Sequence, residues 1–233
     1  MPMTGSANDR LSAKIIVKTN SDMGVAKMKV LLVNGSAHSK GCTHTALKEV
    51  EKALNKNGVM TEIFQLGGDP IAGCKGCRSC KRTGNCIIDD HVNEFLGKVD
   101  EADGFVFGSP VYYAAASGGL TSFLDRVFYA GKGKFAGKLG ASVVSCRRGG
   151  ATAAFDQINK YFTISCMPVV SSQYWNQVHG NTPEEVKQDL EGMQTMRTLG
   201  NYMAWLLKCI EAGKNAGVPG PEKERPIITS FIR

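Results

Sequence analysis

Short apolar runs alternate with amphipathic stretches along most of the chain. Most runs are rich in Val, Ile, Leu or Phe and are bounded by Gly, Pro or Asn, which is typical of strands buried in a parallel sheet. Five runs predict strands, at residues 30–33, 61–66, 104–107, 141–145 and 169–174. The segments between them repeat apolar residues every three or four positions and predict helices, near residues 47–54, 92–99, 120–128 and 151–164.

The last helix has the clearest starting signal. Residues 182–185 read Thr-Pro-Glu-Glu, a capping box with proline at the first helical position. Apolar residues, several of them Met, then recur every three or four positions as far as Ile210, and we predict that they belong to the core. Gly200 is a candidate kink or break, and Gly213 with Gly217 ends the helix.

The regular alternation of strand and helix predicts an α/β fold. Short connections favour a doubly wound, five-stranded parallel sheet of order 2-1-3-4-5 with helices on both faces. Ligands of such sheets bind at the carboxyl ends of the strands, here at the switch point between the first and third strands. We expect one domain over residues 28–213, a C-terminal arm over 214–233, and a leader over 1–27 that is disordered or tag-like.

Composition narrows the choice of function. The 233 residues suit one α/β domain, and the net charge of +7 is spread along the chain without an aromatic-basic cluster, so we expect phosphorylated small ligands rather than nucleic acid. The sequence has no apolar run of about 18 residues, and we predict no membrane span. Eight cysteines without a secretory signal predict a cytoplasmic protein that uses thiols for metal or redox chemistry rather than disulfides.

The loop after the first strand is rich in hydroxyl groups. Residues 35–45 contain Ser36, Ser39, Thr43 and Thr45, with Lys40, His38 and His44 nearby. The loop is neither a Walker loop nor a dinucleotide fingerprint, because Gly41 is followed by Cys42 and the required glycine spacing is missing. Its hydroxyls at a helix N-terminus suit a terminal phosphomonoester. An ordinary strand-to-helix turn with capping hydroxyls is the alternative.

Two further loops follow strand ends that should lie beside the first. Residues 108–119 place a proline and two tyrosines after the third strand, which suits the faces and edge of a planar heterocycle. Residues 145–150 offer two arginines and two glycines, which let the backbone approach a ligand closely. For each of these two loops alone an ordinary turn with a packed tyrosine is the favoured interpretation, but three such loops at one sheet edge favour a shared ligand.

Four cysteines lie within one short segment after the second strand. Cys74, Cys77, Cys80 and Cys86 have the spacing Cys-x2-Cys-x2-Cys-x5-Cys, and basic residues stand between them. Four thiolates on a curled loop can hold a 4Fe–4S cluster. Zinc held by the same four cysteines and a redox-active or ligand-free thiol loop are the alternatives. We interpret Asp89 and Asp90, which follow, as helix caps.

These motifs together resemble the flavodoxin-like NADPH-dependent FMN reductase family, and within it the iron-sulfur flavoproteins. The resemblance rests on Gly-Ser-Ala-His-Ser-Lys-Gly-Cys-Thr, on Gly-Ser-Pro-Val-Tyr-Tyr and on the cysteines between them, and it extends from residue 28 to the last helix. It implies a flavodoxin-like fold, bound FMN, NAD(P)H or ferredoxin as electron source, and a homodimer or homotetramer. The compact cysteine spacing of these relatives favours the cluster over zinc.

The resemblance also implies roles for particular residues. The FMN phosphate would be held by Ser36, His38, Thr43 and Thr45. The isoalloxazine would be lined by Pro110, Val111, Tyr112 and Tyr113 and closed on its other side by Arg147, Gly149 and Gly150. The cluster ligands would be Cys74, Cys77, Cys80 and Cys86. One departure is His38, where the family often has Arg; a neutral imidazole supplies less charge to a phosphate, which Lys40 could compensate.

The sequence therefore predicts an FMN-dependent oxidoreductase. Electrons would pass from NAD(P)H or a reduced carrier through FMN, and through the cluster where present, to a quinone, a nitro or azo compound or a flavin. No catalytic side chain is predicted, because the cofactor performs the chemistry. The cysteine loop follows strand two, and we expect it beside the flavin edge. The alternative is an electron-transfer flavoprotein without substrate turnover, although the positive net charge is unlike the acidic face of such carriers.

Overall fold

A computed structural model describes residues 28–222 and 224–231, so the predicted leader over 1–27 lies outside the described residues. The strands are β1 (Lys29–Asn34), β2 (Met60–Gln65), β3 (Gly104–Tyr112), β4 (Ala115–Ala116), β5 (Leu139–Cys146) and β6 (Gln177–His179). The helices are α1 (Cys42–Lys56), α2 (Cys80–Thr83), α3 (His91–Lys98), α4 (Gly118–Gly131), α5 (Ala151–Ile164), α6 (Pro183–Gln188) and α7 (Leu190–Asn215). Single 3-10 turns at Val99–Glu101 and Lys132–Phe135 follow α3 and α4. No helix in the described part of the chain is long and apolar enough to cross a bilayer.

The main sheet is parallel and has the order β2-β1-β3-β5-β6. This is the predicted 2-1-3-4-5 order, with one additional strand: β4 forms a short antiparallel hairpin with the end of β3. The doubly wound α/β fold is therefore confirmed, with six strands instead of five. The hairpin was missed because its two residues carry no apolar run that marks a strand.

Apolar side chains cover both faces of this sheet. On one face, a cluster rich in phenylalanine joins β3 to α3, α4 and α5, with Phe95, Phe107 and Phe123 fully buried. On the other face, α1 packs against β1 and β5, α7 packs against α1 and β6, and Met196 with Met203 is fully buried. The predicted core role is confirmed for the methionines of the stripe and for Leu199, but it is wrong for Leu190, which is 77% exposed. Because both faces of β1 are covered, its continuous apolar run has no exposed side.

The predicted fifth strand at 169–174 is wrong. Val169 makes only an isolated bridge to Gly140, and the edge strand is β6, which pairs with β5. Between these points the chain leaves the sheet, because the Ser172 hydroxyl shares its hydrogen between the carbonyl of Tyr174 and Asn176 Oδ1, each 2.7 Å away. Such local side-chain bonds compete with strand pairing, and an apolar pattern does not report them.

The predicted last helix is divided, but not at Gly200. Thr182 caps α6 by accepting from the Glu185 amide at 3.2 Å, which confirms the predicted N-terminus. The chain then breaks at Asp189, whose carboxylate caps α7 by accepting from the Gly192 amide at 2.9 Å. Gly200 instead permits close helix packing, since a Cβ there would lie 2.6 Å from the Cβ of Ala53 in α1.

Candidate functional site

A cleft of about 780 Å³ opens at the carboxyl ends of β1, β3 and β5, at the predicted switch point. We call it the switch-point cleft. Its walls come from the loop after β1, the ends of β3 and β5, and the turn before α6. The structure brings seven of the predicted cofactor residues together here: Ser36, His38, Thr43, Pro110, Val111, Tyr112 and Arg147.

Four predicted cofactor residues do not line this cleft. The Thr45 hydroxyl donates to the carbonyl of Gly41 at 3.1 Å, within its own helix. Tyr113 stands at the tip of the β3–β4 hairpin, fully exposed and with φ of 49°. Gly149 and Gly150 lie at the start of α5, and a Cβ on Gly150 would lie 2.7 Å from the Cα of Ala114. Gly150 therefore lets the hairpin rest on the third loop.

A buried amide network fixes the first loop. Asn34 accepts from the Ser36 amide at 3.2 Å and donates to Gln65 at 2.6 Å, and Gln65 donates to the Ser36 carbonyl at 2.7 Å. The Ser36 hydroxyl oxygen accepts from the His38 amide at 3.1 Å, which leaves its hydrogen to be donated to a ligand. The loop is thus preorganised by β1 and β2. Asn34 and Gln65 were missed because each looks like an ordinary strand end.

The N-terminus of α1 is arranged for an anion. Gly41 stands at the cap position and no side chain caps the helix, as is also the case for Gly150 at α5. The helices α3, α4 and α7 are capped by Asp90, Ser117 and Asp189. The first turn holds no acidic residue, and Lys40 precedes it. The first amides of α1 and the positive end of its dipole therefore face the switch-point cleft without an internal acceptor, which fits a terminal phosphate.

The third predicted phosphate residue has a structural partner. The Thr43 and Ser145 hydroxyls lie 2.8 Å apart and both residues are buried, so this pair joins the start of α1 to the end of β5. Each hydroxyl can donate only one hydrogen, so one of the two remains available to a ligand. Burial raises the pKa of the Cys42 and Cys146 thiols, which also line the cleft, so both stay neutral beside an anion.

The second loop is held against the first by two serines. The Ser109 hydroxyl oxygen accepts from the Ser117 amide at 2.9 Å, and the Ser117 hydroxyl donates to the Gly35 carbonyl at 2.8 Å. A Cβ on Gly35 would lie 2.8 Å from the Gly108 carbonyl oxygen, so only glycine allows this approach. Tyr112 is half-exposed on the cleft wall, where its ring can cover a planar ligand.

The four clustered cysteines line a second, narrow space of about 20 Å³, which we call the cysteine cleft. Positive φ angles at Gly76, Arg78 and Gly84 curl the loop around it. Cys80 is buried, Cys86 is half-buried, and Cys74 and Cys77 are exposed. Within residues 28–222 and 224–231, no group of three or more His, Cys, Asp or Glu side chains stands in an arrangement that could hold a metal ion.

The donor set of the cysteine cleft nevertheless fits an iron-sulfur cluster. Although they do not stand in a metal-holding arrangement, four free thiols from a single short loop line one space. One of these sulfurs receives hydrogen bonds from a buried arginine, Arg126, which no sequence motif indicated. A charged residue at a buried position of the apolar α4 pattern was the available signal. Asp90 caps α3 by accepting from the Val92 amide at 3.1 Å, as predicted, and also binds Arg126.

The two clefts are separate within one chain. They share no lining residue. Arg126, which lines the cysteine cleft, lies nine residues beyond the Ser117 cap of α4. At 1.5 Å per residue this is about 13 Å along the helix. The cysteine loop was expected beside the flavin edge because it follows β2, and that placement stays a prediction. The structure shows that the second half of α4 lines the cysteine cleft.

Three comparisons agree with this architecture. The model of the NADPH-dependent FMN reductase family matches residues 28–182. An iron-sulfur flavoprotein of Methanocaldococcus jannaschii is 34% identical over 192 residues, which are 79% of this chain and 100% of that protein. A flavodoxin from the domain Archaea superposes with a TM-score of 0.53 at 17% identity, covering 78% of this chain and 99% of the flavodoxin.

A solved NAD(P)H:quinone oxidoreductase from Methanothermobacter marburgensis superposes with a TM-score of 0.58 at 15% identity, over 75% of this chain and 96% of that structure. At this identity the structural likeness establishes the fold alone, which is flavodoxin-like as predicted. The sequence match is more specific, because it spans both the hydroxyl-rich loop and the tyrosine hairpin that form the switch-point cleft. The chain therefore belongs to the NADPH-dependent FMN reductase family, a family of FMN-dependent oxidoreductases.

Proposed function

We propose that this protein is a reductase that takes electrons from NAD(P)H or a reduced carrier and passes them through FMN, bound in the switch-point cleft, to a small acceptor. Quinones, nitro or azo compounds and free flavin are the acceptor classes. The observation that carries the proposal is the uncapped α1 N-terminus, which opens on the same cleft as the Tyr112 wall. This arrangement would supply a phosphate site and a ring site together.

The first loop would bind the phosphate end of FMN. The amides at the start of α1 and the Ser36 hydroxyl donate hydrogen bonds, and Lys40 adds a full positive charge. His38 lines the cleft and contributes a further donor where the family often has Arg. The Asn34–Gln65 network keeps these groups in place before the ligand arrives, which lowers the entropy lost on binding.

The second and third loops would hold the ring end. Tyr112 covers a face of the isoalloxazine, Pro110 and Val111 shape the adjacent wall, and Arg147 faces the ligand from the third loop. Bound FMN supplies the hydride and single-electron chemistry of the reaction. The chain's own contribution is to orient the ring and exclude water, and the neutral Cys42 and Cys146 thiols add no negative charge that would oppose the phosphate.

For the cysteine cleft we propose a 4Fe–4S cluster held by Cys74, Cys77, Cys80 and Cys86. The name of the Methanocaldococcus relative and the four-thiol donor set support this assignment. A cluster would transfer single electrons. The cleft is narrow, so assembly would require the exposed Cys74–Cys77 part of the loop to move outward.

The surroundings of the cysteine cleft also support a protein partner. Lys75, Arg78, Lys81 and Arg82 are exposed and give this surface a strong positive charge. We propose that an acidic one-electron carrier, such as a ferredoxin, docks here, with association that weakens as salt rises.

Tyr202 and Trp205 are exposed on α7, and a homodimer or homotetramer would cover them. The eight cysteines are all free, which supports a reducing, cytoplasmic location.

Reconstitution with FMN followed by steady-state turnover tests the proposal. We expect the chain to retain FMN through gel filtration and to oxidise NADPH or NADH when a quinone or a nitro compound is present. FMN retention without turnover, tested with both nicotinamides, reduced ferredoxin and each acceptor class, would indicate the electron-carrier alternative. A protein that does not bind FMN would refute the assignment of the switch-point cleft.

A further inference from the structure

A buried arginine stands directly behind the cysteine cleft. The Arg126 side chain is 1% exposed, and Arg126 is the largest fully buried residue in the described part of the chain. Its Nη1 and Nη2 donate to the two carboxylate oxygens of Asp90 at 2.6 and 2.9 Å. Its Nη1 also donates to the Ala72 carbonyl at 3.2 Å. Its Nη2 shares its two hydrogens among Asp90 Oδ1, the Ile88 carbonyl at 3.0 Å and Cys86 Sγ. Both Nε and Nη2 lie 3.2 Å from Cys86 Sγ.

These contacts close the base of the cysteine loop. Ala72 precedes the first of the four cysteines and Ile88 follows the last, so one guanidinium joins the two ends of the loop through their backbone carbonyls. Asn93 adds a second attachment, since its side chain accepts from the Cys86 amide at 2.8 Å and donates to the Cys86 carbonyl at 3.0 Å. Cys86 is therefore fixed at its backbone and at its sulfur, while Cys74 and Cys77 are exposed.

A side chain that only anchored the loop would not need two nitrogens, Nε and Nη2, directed at the sulfur of Cys86. A guanidinium keeps its proton, so its burial is costly unless every N–H is well used. A neutral thiol is a weak acceptor, whereas a thiolate bound to iron carries negative charge and accepts strongly. The hydrogen bonds from Arg126 Nε and Nη2 are therefore strongest when Cys86 Sγ is negatively charged.

We infer that Arg126 is a positioning residue that fixes Cys86 as the anchored ligand of the cluster and raises the cluster's reduction potential. The inference rests on the proposed cluster. When one electron passes from an external reductant to the cluster, the cluster with its four thiolates gains one negative charge. The buried cation stabilises that reduced state more than the oxidised state, and hydrogen bonds to the sulfur act in the same direction.

Asp90 sets how much of this charge the cluster experiences. Its carboxylate neutralises part of the guanidinium charge through Nη1 and Nη2, and Nη2 also lies against Cys86 Sγ. Removing the arginine and removing the aspartate should therefore shift the potential in opposite directions. Structural damage alone would not produce opposite signs.

The test is an anaerobic dithionite titration, followed by electron paramagnetic resonance, of wild type, Arg126→Gln, Arg126→Lys and Asp90→Asn, each reconstituted with iron and sulfide. Arg82→Gln is the matched control, because it removes an exposed cation from the same loop. We expect Arg126→Gln to lower the equilibrium constant for reduction of the cluster at least tenfold. For one electron, this is a fall of about 59 mV in the reduction potential. The reduction potential should fall less in Arg126→Lys and should rise in Asp90→Asn. In Arg82→Gln it should shift less than in Arg126→Gln, because solvent screens the charge of Arg82.

Iron and sulfide contents and circular dichroism accompany each titration. If Arg126→Gln does not fold, the inference is tested by Arg126→Lys and Asp90→Asn, whose reduction potentials should shift in opposite directions. A wild-type chain that takes up no iron and sulfide overturns the proposed cluster, and the inference with it. A loaded wild type whose potential is unchanged in the Arg126 and Asp90 variants overturns the inference alone, and Arg126 is then only a loop anchor.

Discussion

At the scale of single residues, the structure separates two adjacent tyrosines that the sequence treats alike. Tyr112 is half-exposed on the wall of the switch-point cleft, while Tyr113 projects fully into solvent at the hairpin tip. We expect Tyr112→Ala to weaken FMN binding about tenfold, since stacking of an aromatic ring on a base is worth about 1–3 kcal/mol. Fluorescence titration of FMN measures this change.

Tyr113→Ala should bind FMN as the wild type does. An equal loss of affinity in both variants would show that the hairpin closes over the ring and that Tyr113 contacts it, as the sequence predicts.

The Thr43–Ser145 pair is a second residue-scale feature. Thr43→Val removes a hydroxyl partner from a buried serine, and we expect a loss of about 1–3 kcal/mol in unfolding free energy. Denaturant titration measures it. The control is Thr163→Val, because that hydroxyl is on the exposed side of α5 and donates only to its own helix. Equal stability of the two variants would mean that the buried pair contributes nothing.

At the scale of elements, α7 packs closely against α1 at Gly200. A Cβ at position 200 would lie 2.6 Å from Ala53 Cβ and 2.8 Å from the Val50 carbonyl oxygen. We therefore expect Gly200→Ala to destabilise the protein by about 1–3 kcal/mol, despite the better helix propensity of Ala. Gly97→Ala in α3 is the control: its Cβ meets nothing within 4 Å, so it should stabilise by up to about 1 kcal/mol. Thermal unfolding compares them.

Glu62 joins three elements through charge. Its carboxylate lies 2.9 Å from Lys29 Nζ in β1 and 2.9 Å from Lys98 Nζ in α3. Hydrogen bonds from Lys98 and Lys29 hold the pKa of Glu62 below its ordinary value. Because the folded pKa is depressed, the carboxylate contributes stability at pH values above its unfolded pKa, and that contribution is lost as pH falls through the folded value.

Glu62→Gln should therefore be less stable than wild type at pH 7 by a modest amount, since the pair is partly exposed. The difference should vanish at acidic pH, where the wild-type carboxyl is protonated. Urea titrations across this range measure it, and a difference that persists in acid would assign the effect to packing.

At the scale of the whole molecule, the exposed part of the cysteine loop lies outside the apolar clusters that cover the sheet. The two apolar clusters cover both faces of the sheet, while Cys74 and Cys77 lie on exposed loop. We expect Cys77→Ser to lose iron while it retains FMN and a cooperative unfolding transition. Cys209→Ser, an exposed cysteine on α7, should retain both. Visible absorbance and iron assay measure the outcome, and loss of FMN in Cys77→Ser would show that the two clefts depend on each other.

The sequence determined those features that depend on neighbouring residues. Apolar runs located four of the five predicted strands, and the Thr182 capping box located the start of α6, because both depend on local backbone preferences and one-sided burial. The alternation of strands and helices determined the sheet order, since short right-handed connections leave few topologies. The three loops at the switch point followed from that order, as seven of the eleven predicted cofactor residues show.

Only the tertiary structure decided the contacts between distant segments. The pairing of Thr43 with Ser145, the approach of Gly200 to α1 and the burial of Arg126 behind Cys86 each join residues far apart in the chain. The return of the chain to the sheet edge at β6 and the separation of the two clefts along α4 depend on register and helix direction. A local pattern reports which side of an element is buried, but the partner it meets is set by how all the elements pack at once.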